Sequence, residues 1–165
     1  GLDVVVIGAG NSAFESALQL LAYCKTVTVV IRGDESKIKA DPGTVEAVKK
    51  DPKAKLLFNT ESVEVLGDKK VGGLKVKNNQ TGEESVLNIQ GIFVEIGQIP
   101  NTKFAERLVN IDKIGKIEID PWTQKTSTEG IWSAGDCTDV LYHQNNIAAG
   151  DAVRALEDIY LHLKA

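Results

Sequence analysis

The stretch that most constrains the fold of this chain runs from Leu2 to Leu21 and combines three local patterns. Residues 2–7 form a run dominated by β-branched side chains, which is typical of a strand buried on both faces. Residues 14–21 place apolar side chains at positions 14, 17, 18 and 21, the spacing of a helix that packs on one side. A turn of the form Gly-x-Gly-x-x-Ala joins the two elements and contains Gly8, Gly10, Asn11, Ser12 and Ala13.

The chemistry of this turn predicts a dinucleotide-binding site. Gly8 permits a tight exit from the strand, Gly10 lets a pyrophosphate approach the backbone, and Ala13 is small enough for close helix–strand packing. The free N–H groups of the first helical turn then face an anion. Ser12 and Glu15 also have the spacing of a capping box, which supports a helix start here. The alternative is a structural turn, or one that has lost its ligand.

The end of the predicted second strand, Thr26–Ile31, is where a dinucleotide fold contacts the adenosine ribose. A carboxylate at this point would bond the 2′-hydroxyl of NAD, but this strand ends without one. Arg32 is placed to meet a 2′-phosphate, with Lys37 and Lys39 as possible helpers. This pattern favours NADP over NAD. Asp34 could instead turn back to a ribose hydroxyl, and Arg32 could be a solvated loop charge.

The rest of the chain predicts an α/β fold in two domains, one over residues 1–102 and one over residues 103–165. For the first domain we expect a helix at 42–50, a third parallel strand at 54–59, an antiparallel meander of strands at 61–66, 71–78 and 84–88, and a buried strand at 91–97. For the second we expect a helical turn at 103–108, strands at 116–120 and 130–136, and a helix at 147–163.

Composition narrows the function classes. A net charge of −4 gives no reason to expect a nucleic acid or a membrane surface as partner, and no apolar run reaches membrane-spanning length. The two cysteines, Cys24 and Cys137, are not spaced as a motif, which favours a reducing, cytoplasmic compartment. No metal-ligand pattern is present. The chain has no methionine and opens on Gly1 directly before a predicted core strand, which is typical of a fragment.

Three segments together resemble a known family. They are residues 6–13 (Val-Ile-Gly-Ala-Gly-Asn-Ser-Ala), 91–102 (Gly-Ile-Phe-Val-Glu-Ile-Gly-Gln-Ile-Pro-Asn-Thr) and 130–138 (Gly-Ile-Trp-Ser-Ala-Gly-Asp-Cys-Thr), followed by Tyr142-His143-Gln144. In order and spacing they are similar to the two-dinucleotide flavoprotein disulfide reductases, in particular the low-molecular-weight thioredoxin reductase group and the flavoprotein subunit of alkyl hydroperoxide reductase. The resemblance implies a Rossmann-like NAD(P)-binding domain, with its parallel sheet, helices and meander, plus the C-terminal piece of an FAD-binding domain.

The resemblance also implies roles for individual residues. The first segment would bind the nicotinamide nucleotide, and the second, which includes Gly97, would lead back to the FAD domain beside the cofactors. Asp136 would bond the ribityl chain of FAD, and Gln144 with Asn145 would lie near the flavin ring. A carboxylate followed by a helix start is also a sensible binder of hydroxyl groups and ring edges on chemical grounds. Asp136 could otherwise cap a buried turn.

The function implied for the full-length parent is an oxidoreductase, a homodimer, that passes reducing equivalents from NAD(P)H through FAD to a disulfide and on to a thioredoxin-like protein. The family's FAD glycine motif and its redox Cys-x-x-Cys are absent from this chain, so we expect no catalytic residue and no activity for it alone. Cys24 is interpreted as core, Cys137 as packing near the flavin cleft, and His143 and His162 as surface or packing residues.

Two departures from the family pattern and two alternative functions stay open at this stage. NADP-specific relatives carry paired arginines after the second strand, whereas Arg32 is followed here by Gly33. NAD-using relatives carry an acid where Ile31 stands, so the resemblance leaves the nucleotide preference open. A stand-alone nucleotide-binding or regulatory module, without turnover, is the second hypothesis. The third hypothesis is a ferredoxin- or NAD(P)H-dependent relative whose parent never had the cysteine pair.

Overall fold

The structure, a computed structural model, describes residues 1–164 and divides the chain into two compact units. Unit 1 comprises residues 1–97, and unit 2 begins at Gln98. The division falls slightly before the expected boundary near Thr102. The reason is local, since Glu95 still donates its N–H to the Ile7 carbonyl at 2.8 Å, whereas the Thr102 hydroxyl donates to the carbonyl of Gly115 in unit 2.

Unit 1 contains two helices and seven strands. The elements in chain order are β1 (Asp3–Ile7), α1 (Asn11–Leu21), β2 (Thr26–Val30), α2 (Pro42–Lys50), β3 (Ala54–Leu57), β4 (Thr60–Gly67), β5 (Val71–Asn78), β6 (Glu84–Leu87) and β7 (Gly91–Val94). A short 3₁₀ turn at Glu35–Lys37 follows β2. The predicted strands and helices of this unit are confirmed, although β3 and β7 end two or three residues before the predicted positions.

The parallel sheet of unit 1 has the strand order β3-β2-β1-β7, and β4, β5 and β6 form a separate antiparallel sheet. Successive side chains of a strand point to opposite faces, so the valine run of β1 is divided between two cores. Val4 and Val6 pack with Phe14 and the two helices, while Val5 packs with Leu74 and the meander. The prediction that β1 is buried on both faces is therefore confirmed.

Unit 2 is less regular than the sequence predicts. The strands expected at 116–120 and 130–136 are wrong, because these segments form only isolated bridges. Ile117 pairs singly with Ile111 and with Thr138, whereas Ile119 pairs with Thr126. Since neighbouring residues pair with different segments, no continuous ladder of hydrogen bonds develops. A 3₁₀ turn at Lys103–Ala105 replaces the expected longer helical turn.

The predicted C-terminal helix is confirmed as α3 (Asn145–Lys164), which begins two residues earlier than expected. Its attachment to the preceding loops is partly polar. The indole N–H of Trp132 donates to Asp158 at 2.9 Å, and the Lys125 ammonium lies 3.0 Å from the same carboxylate oxygen. Within residues 1–164, no helix is both long and apolar enough to cross a membrane.

Candidate functional site

The glycine turn between β1 and α1 has the geometry that close packing demands. Gly8 has a φ of +152°, and a Cβ there would lie 2.3 Å from the Glu95 carbonyl oxygen and 2.9 Å from Ala13 Cβ. Gly8 and Ala13 thus let β1, β7 and α1 approach one another. A Cβ on Gly10 would meet no atom within 4 Å. Space above Gly10 is therefore open to a group from outside the chain.

The start of α1 leaves its first amides available. Gly10, in an extended conformation, is the N-cap, and no side chain accepts a hydrogen bond from the first turn. The capping box expected from Ser12 and Glu15 is therefore wrong: because the cap is Gly10, Ser12 lies inside the first turn. The first N–H groups of a helix have no intrahelical acceptor. Together with the helix dipole, they form a local site of positive potential.

Asn11 has a structural partner in the turn. Its side-chain oxygen accepts the N–H of Asp41 at 2.7 Å. The Asp41 carboxylate in turn caps α2 by accepting from Gly43 and Thr44 at 2.9 and 3.1 Å. Asn11 therefore joins the glycine turn to the start of α2, and its amide nitrogen stays available to a ligand.

A cleft of about 630 Å³ opens at the carboxyl ends of β1 and β2. Its volume lies within the range of small-molecule sites, roughly 300–1,000 Å³. One wall is the glycine turn, another is the segment after β2, and β4 supplies a third. Its lining residues include Gly8, Ala9, Arg32, Lys37, Lys39 and Thr60.

Arg32 has a fixed backbone and a free head group. Its carbonyl accepts the side-chain amide of Asn79 at 3.0 Å. Arg32 is exposed, and its guanidinium forms no ion pair within residues 1–164. Lys39 donates its backbone N–H to Ala9 at 2.8 Å, which holds the basic loop against the glycine turn. The cleft therefore has a basic wall at the end of β2.

Gly33 and Asp34, which follow Arg32 in the loop after β2, both have contacts within that loop. A Cβ on Gly33 would lie 2.4 Å from Lys37 Cγ, so the stem of Lys37 occupies the space of a second arginine. One oxygen of Asp34 accepts both the N–H and the hydroxyl of Ser36, at 2.9 and 2.5 Å. These bonds lower the pKa of Asp34 and commit that oxygen to the 3₁₀ turn. The side chain of Asp34 is therefore engaged within its own loop, whereas the guanidinium of Arg32 is exposed at the cleft.

A second depression, of about 380 Å³, lies in unit 2 at the start of α3. Asp136, Gln144 and Asn145, which the resemblance groups together, all line it. Gly135, with a φ of +83°, brings this segment within contact distance of Ala148 in α3. Gly97, the remaining predicted site residue, has a φ of +71° and lines neither cleft.

His143 is part of this depression and was not expected there. Its Nε2 lies 2.5 Å from Lys116 Nζ, and its Nδ1 lies 3.7 Å from an oxygen of Asp136. Because Lys116 donates to Nε2, the neutral ring carries its proton on Nδ1. That Nδ1 is buried and has no hydrogen-bond partner within residues 1–164. The interpretation of His143 as a surface or packing residue missed the contact with Lys116, which lies 27 residues away in sequence.

Both cysteines pack against clusters of apolar side chains. Cys24 lies against the helix-side core of unit 1, and Cys137 packs beside Ile117 in unit 2, with its sulfur 3.4 Å from the Ser133 hydroxyl. Both are free thiols. Over residues 1–164, no three His, Cys, Asp or Glu side chains are grouped to hold a metal ion.

The parallel sheet and the glycine turn between β1 and α1 place the protein in the Rossmann-like α/β class. The family model described as pyridine nucleotide-disulphide oxidoreductase matches residues 2–152. The chain belongs to this family of oxidoreductases.

The relatives and solved structures that resemble this chain include several thioredoxin reductases. The chain is 36% identical over 156 residues to a thioredoxin reductase of Mycolicibacterium smegmatis, covering 94% of this chain and 50% of the relative. A thioredoxin reductase structure from Lactococcus lactis, in its FR conformation, matches with a TM-score of 0.87 at 31% identity, covering 98% of this chain and 52% of that one. One from T. acidophilum has a TM-score of 0.86 and 34% identity, covering 100% and 54%.

These matches confirm the thioredoxin reductase-like family and the α/β fold predicted from the motifs. The chain spans about half the length of the curated relatives it matches.

Proposed function

We propose that unit 1 is a nicotinamide dinucleotide-binding domain. The main support is the open N-terminus of α1 at Gly10, next to a cleft lined by Arg32, whose guanidinium forms no ion pair in the described part of the chain. In this arrangement the pyrophosphate binds the free amides of residues 11–13, the side-chain amide of Asn11 and the hydroxyl of Ser12. The adenosine half then occupies the cleft between the glycine turn and the loop after β2.

The preferred nucleotide is NADP(H). Arg32 donates a charge-assisted hydrogen bond to the 2′-phosphate, and Lys37 and Lys39 add positive charge from the same loop. Gly33 follows Arg32 at the position where a second arginine would strengthen selection for the 2′-phosphate. Discrimination against NAD(H) is therefore modest. The preference is roughly tenfold to a hundredfold.

Unit 2 is proposed as the C-terminal piece of an FAD-binding domain. The exposed carboxylate of Asp136 and the amides of Gln144 and Asn145 would hold hydroxyl groups and the edge of the flavin. The Nδ1–H of His143 lies in the same depression and has no hydrogen-bond partner among the described residues, which fits a ligand rich in oxygen atoms. Bound FAD would supply a ring that accepts hydride and releases electrons singly or in pairs.

The whole protein is proposed to be a cytoplasmic, homodimeric thioredoxin reductase-like enzyme that passes reducing equivalents from NAD(P)H through FAD to a disulfide. Its protein substrate would be thioredoxin-like. The two free thiols of this chain suit a reducing compartment. Neither is spaced as a redox pair, and the chain is therefore proposed to bind nucleotide without turning it over.

Titration of the 165-residue chain with NADPH, followed by the fluorescence of the dihydronicotinamide ring, tests the proposal. We expect saturable binding, with NADH binding more weakly. Displacement by 2′,5′-ADP, which carries only the adenosine bisphosphate half, locates the 2′-phosphate in the site. Absence of saturable binding for both NADPH and NADH would refute the nucleotide-binding function.

A further inference from the structure

We propose that the carboxylate of Glu95 binds the nicotinamide half of the bound dinucleotide. This inference rests on the proposed nucleotide-binding function and assigns a residue to the half of the ligand opposite Arg32. Glu95 directly follows β7, which pairs with β1 on the side away from β2. Ligands of open α/β sheets bind where the strand order reverses, outside the carboxyl ends of the strands. In this sheet the reversal falls between β1 and β7.

The backbone of Glu95 is fixed at that position. Its N–H donates to the Ile7 carbonyl at 2.8 Å, which extends the pairing of β7 with β1 by one bond. Its carbonyl oxygen lies over Gly8, at 2.3 Å from where a Cβ would stand. Glu95 is thereby held beside the glycine turn that would receive the pyrophosphate.

The side chain of Glu95 is held at one oxygen and free at the other. Oε1 accepts the Ser16 hydroxyl at 3.1 Å, which ties the carboxylate to α1. Glu95 is half-buried, and its carboxylate forms no other hydrogen bond or ion pair among residues 1–164. A positioned, half-buried carboxylate with a free oxygen is an acceptor suited to ligand O–H and N–H groups.

The direction of the ligand follows from the strand order. Arg32 lies after β2 and Glu95 after β7, with β1 and the turn at Gly10 between them. If the pyrophosphate binds at the turn and the adenosine ribose at Arg32, the nicotinamide riboside extends toward β7. Glu95 then accepts from the ribose hydroxyls or the carboxamide, and its negative charge favours the cationic ring of NADP⁺ over the neutral ring of NADPH.

The test compares the variant Glu95→Gln with wild type for three ligands: NADP⁺, NADPH and 2′,5′-ADP. Glutamine keeps an oxygen for Ser16 but replaces the free, charged oxygen by an amide N–H group that donates instead of accepting. We expect NADP⁺ to bind about tenfold more weakly, NADPH about threefold more weakly, and 2′,5′-ADP, which lacks the nicotinamide half, unchanged. Glu83→Gln, an exposed carboxylate-to-amide change in the meander, is the matched control and leaves all three dissociation constants unchanged.

Ser16→Ala provides an independent variant, because alanine is a good helix former and the change releases the Glu95 carboxylate without removing it. We expect a smaller loss, about two- to threefold, again confined to the nicotinamide-bearing ligands. Unchanged NADP⁺ affinity in Glu95→Gln, or equal weakening of all three ligands, would overturn the assignment while leaving the proposed function intact. A wild-type chain that binds none of the three ligands would refute both.

Discussion

The side-chain amide of Asn79, at the end of the meander strand β5, donates to the backbone carbonyl of Arg32 at 3.0 Å. A second bond, from the Asn79 N–H to the carbonyl of Asn59 at 2.6 Å, fixes Asn79 itself. The antiparallel sheet therefore supports the loop that carries the only arginine of the cleft. The guanidinium is exposed above a main chain that these bonds hold in place, which would lower the entropic cost of binding the proposed 2′-phosphate.

Replacement of Arg32 by alanine should weaken NADPH binding and leave NADH binding nearly unchanged. The lost charge-assisted contact is worth on the order of 1.5–3 kcal/mol, or roughly tenfold to a hundredfold in affinity. Dissociation constants for both nucleotides, measured on wild type and variant, check this. Arg107→Ala, which removes an exposed arginine of unit 2, is the matched control and should change neither constant.

If the affinities for NADPH and NADH have the opposite order, another residue contacts the adenosine ribose. If wild type binds NADH more tightly than NADPH, or if Arg32→Ala weakens both nucleotides equally, Arg32 does not contact a 2′-phosphate. Asp34, whose second oxygen is not used by the 3₁₀ turn, would then be the residue to test.

Replacement of Gly8 by alanine should destabilise unit 1 by about 2 kcal/mol or more. The new Cβ would lie 2.3 Å from the Glu95 carbonyl oxygen, and the φ of +152° is unfavourable for any L side chain. Gly82→Ala, at a φ of +75° with no atom within 4 Å, isolates the backbone effect and should cost about 1 kcal/mol. Free energies of unfolding from denaturant titration compare the two, and equal losses would contradict the packing role of Gly8.

Acid should weaken the attachment of α3 through Asp158. The hydrogen bond from the Trp132 indole, followed by the bond from Lys125, lowers the pKa of this carboxyl below its ordinary value of 3.8. The native state thus prefers the ionised form, so this stabilisation is complete above about pH 5 and is lost as the pH falls through the lowered pKa. Stability measured from about pH 5 to about pH 2 should therefore fall less steeply in Asp158→Asn than in wild type.

Trp132 fluorescence reports this titration. The Trp122→Phe background removes the signal of the other tryptophan, whose side chain is exposed. Asp68→Asn, in the β4–β5 turn, is the control and should leave the acid profile of the wild type unchanged. Identical profiles for wild type and Asp158→Asn would show that the carboxylate does not stabilise the native state.

The purified chain should bind NADPH and contain no stoichiometric FAD. Its sequence has one Gly-x-Gly-x-x-Ala turn, which the proposal assigns to the nicotinamide nucleotide, and leaves Asp136, Gln144 and Asn145 as the flavin contacts of unit 2. An absorbance spectrum before and after incubation with FAD and gel filtration checks this. A yellow protein with one flavin per chain would contradict it.

Much of unit 1 could be predicted because its signals are local. The valine run of β1, the apolar spacing of α1 and the turn residues of the meander each specify an element within a few positions. The strands expected at 116–120 and 130–136 failed for the opposite reason. Alternating side chains allow a segment to pair, but a strand also needs a neighbouring segment that pairs with it over several consecutive residues. In unit 2, Ile117 forms one isolated bridge with Ile111 and another with Thr138, and neither pairing continues along the chain.

For the candidate site, residue type alone was enough to predict the tight turn at Gly8, the open backbone at Gly10 and a basic residue after β2. The cap of α1 could not be predicted in this way, since the backbone conformation at Gly10 moves the helix start ahead of Ser12. Contacts that join distant segments also escaped prediction. The bond from Asn79 to Arg32 and that from Ser16 to Glu95 span 47 and 79 residues.

Titration calorimetry of NADPH against wild type and Gly10→Val tests whether the turn at Gly10 binds a nicotinamide dinucleotide. A Cβ at Gly10 meets no protein atom within 4 Å, so the variant should fold with an unchanged melting temperature. The branched side chain would occupy the place of the pyrophosphate, and affinity should fall by about a hundredfold or more. A folded Gly10→Val chain that binds NADPH as tightly as wild type would show that the nucleotide does not bind at this turn.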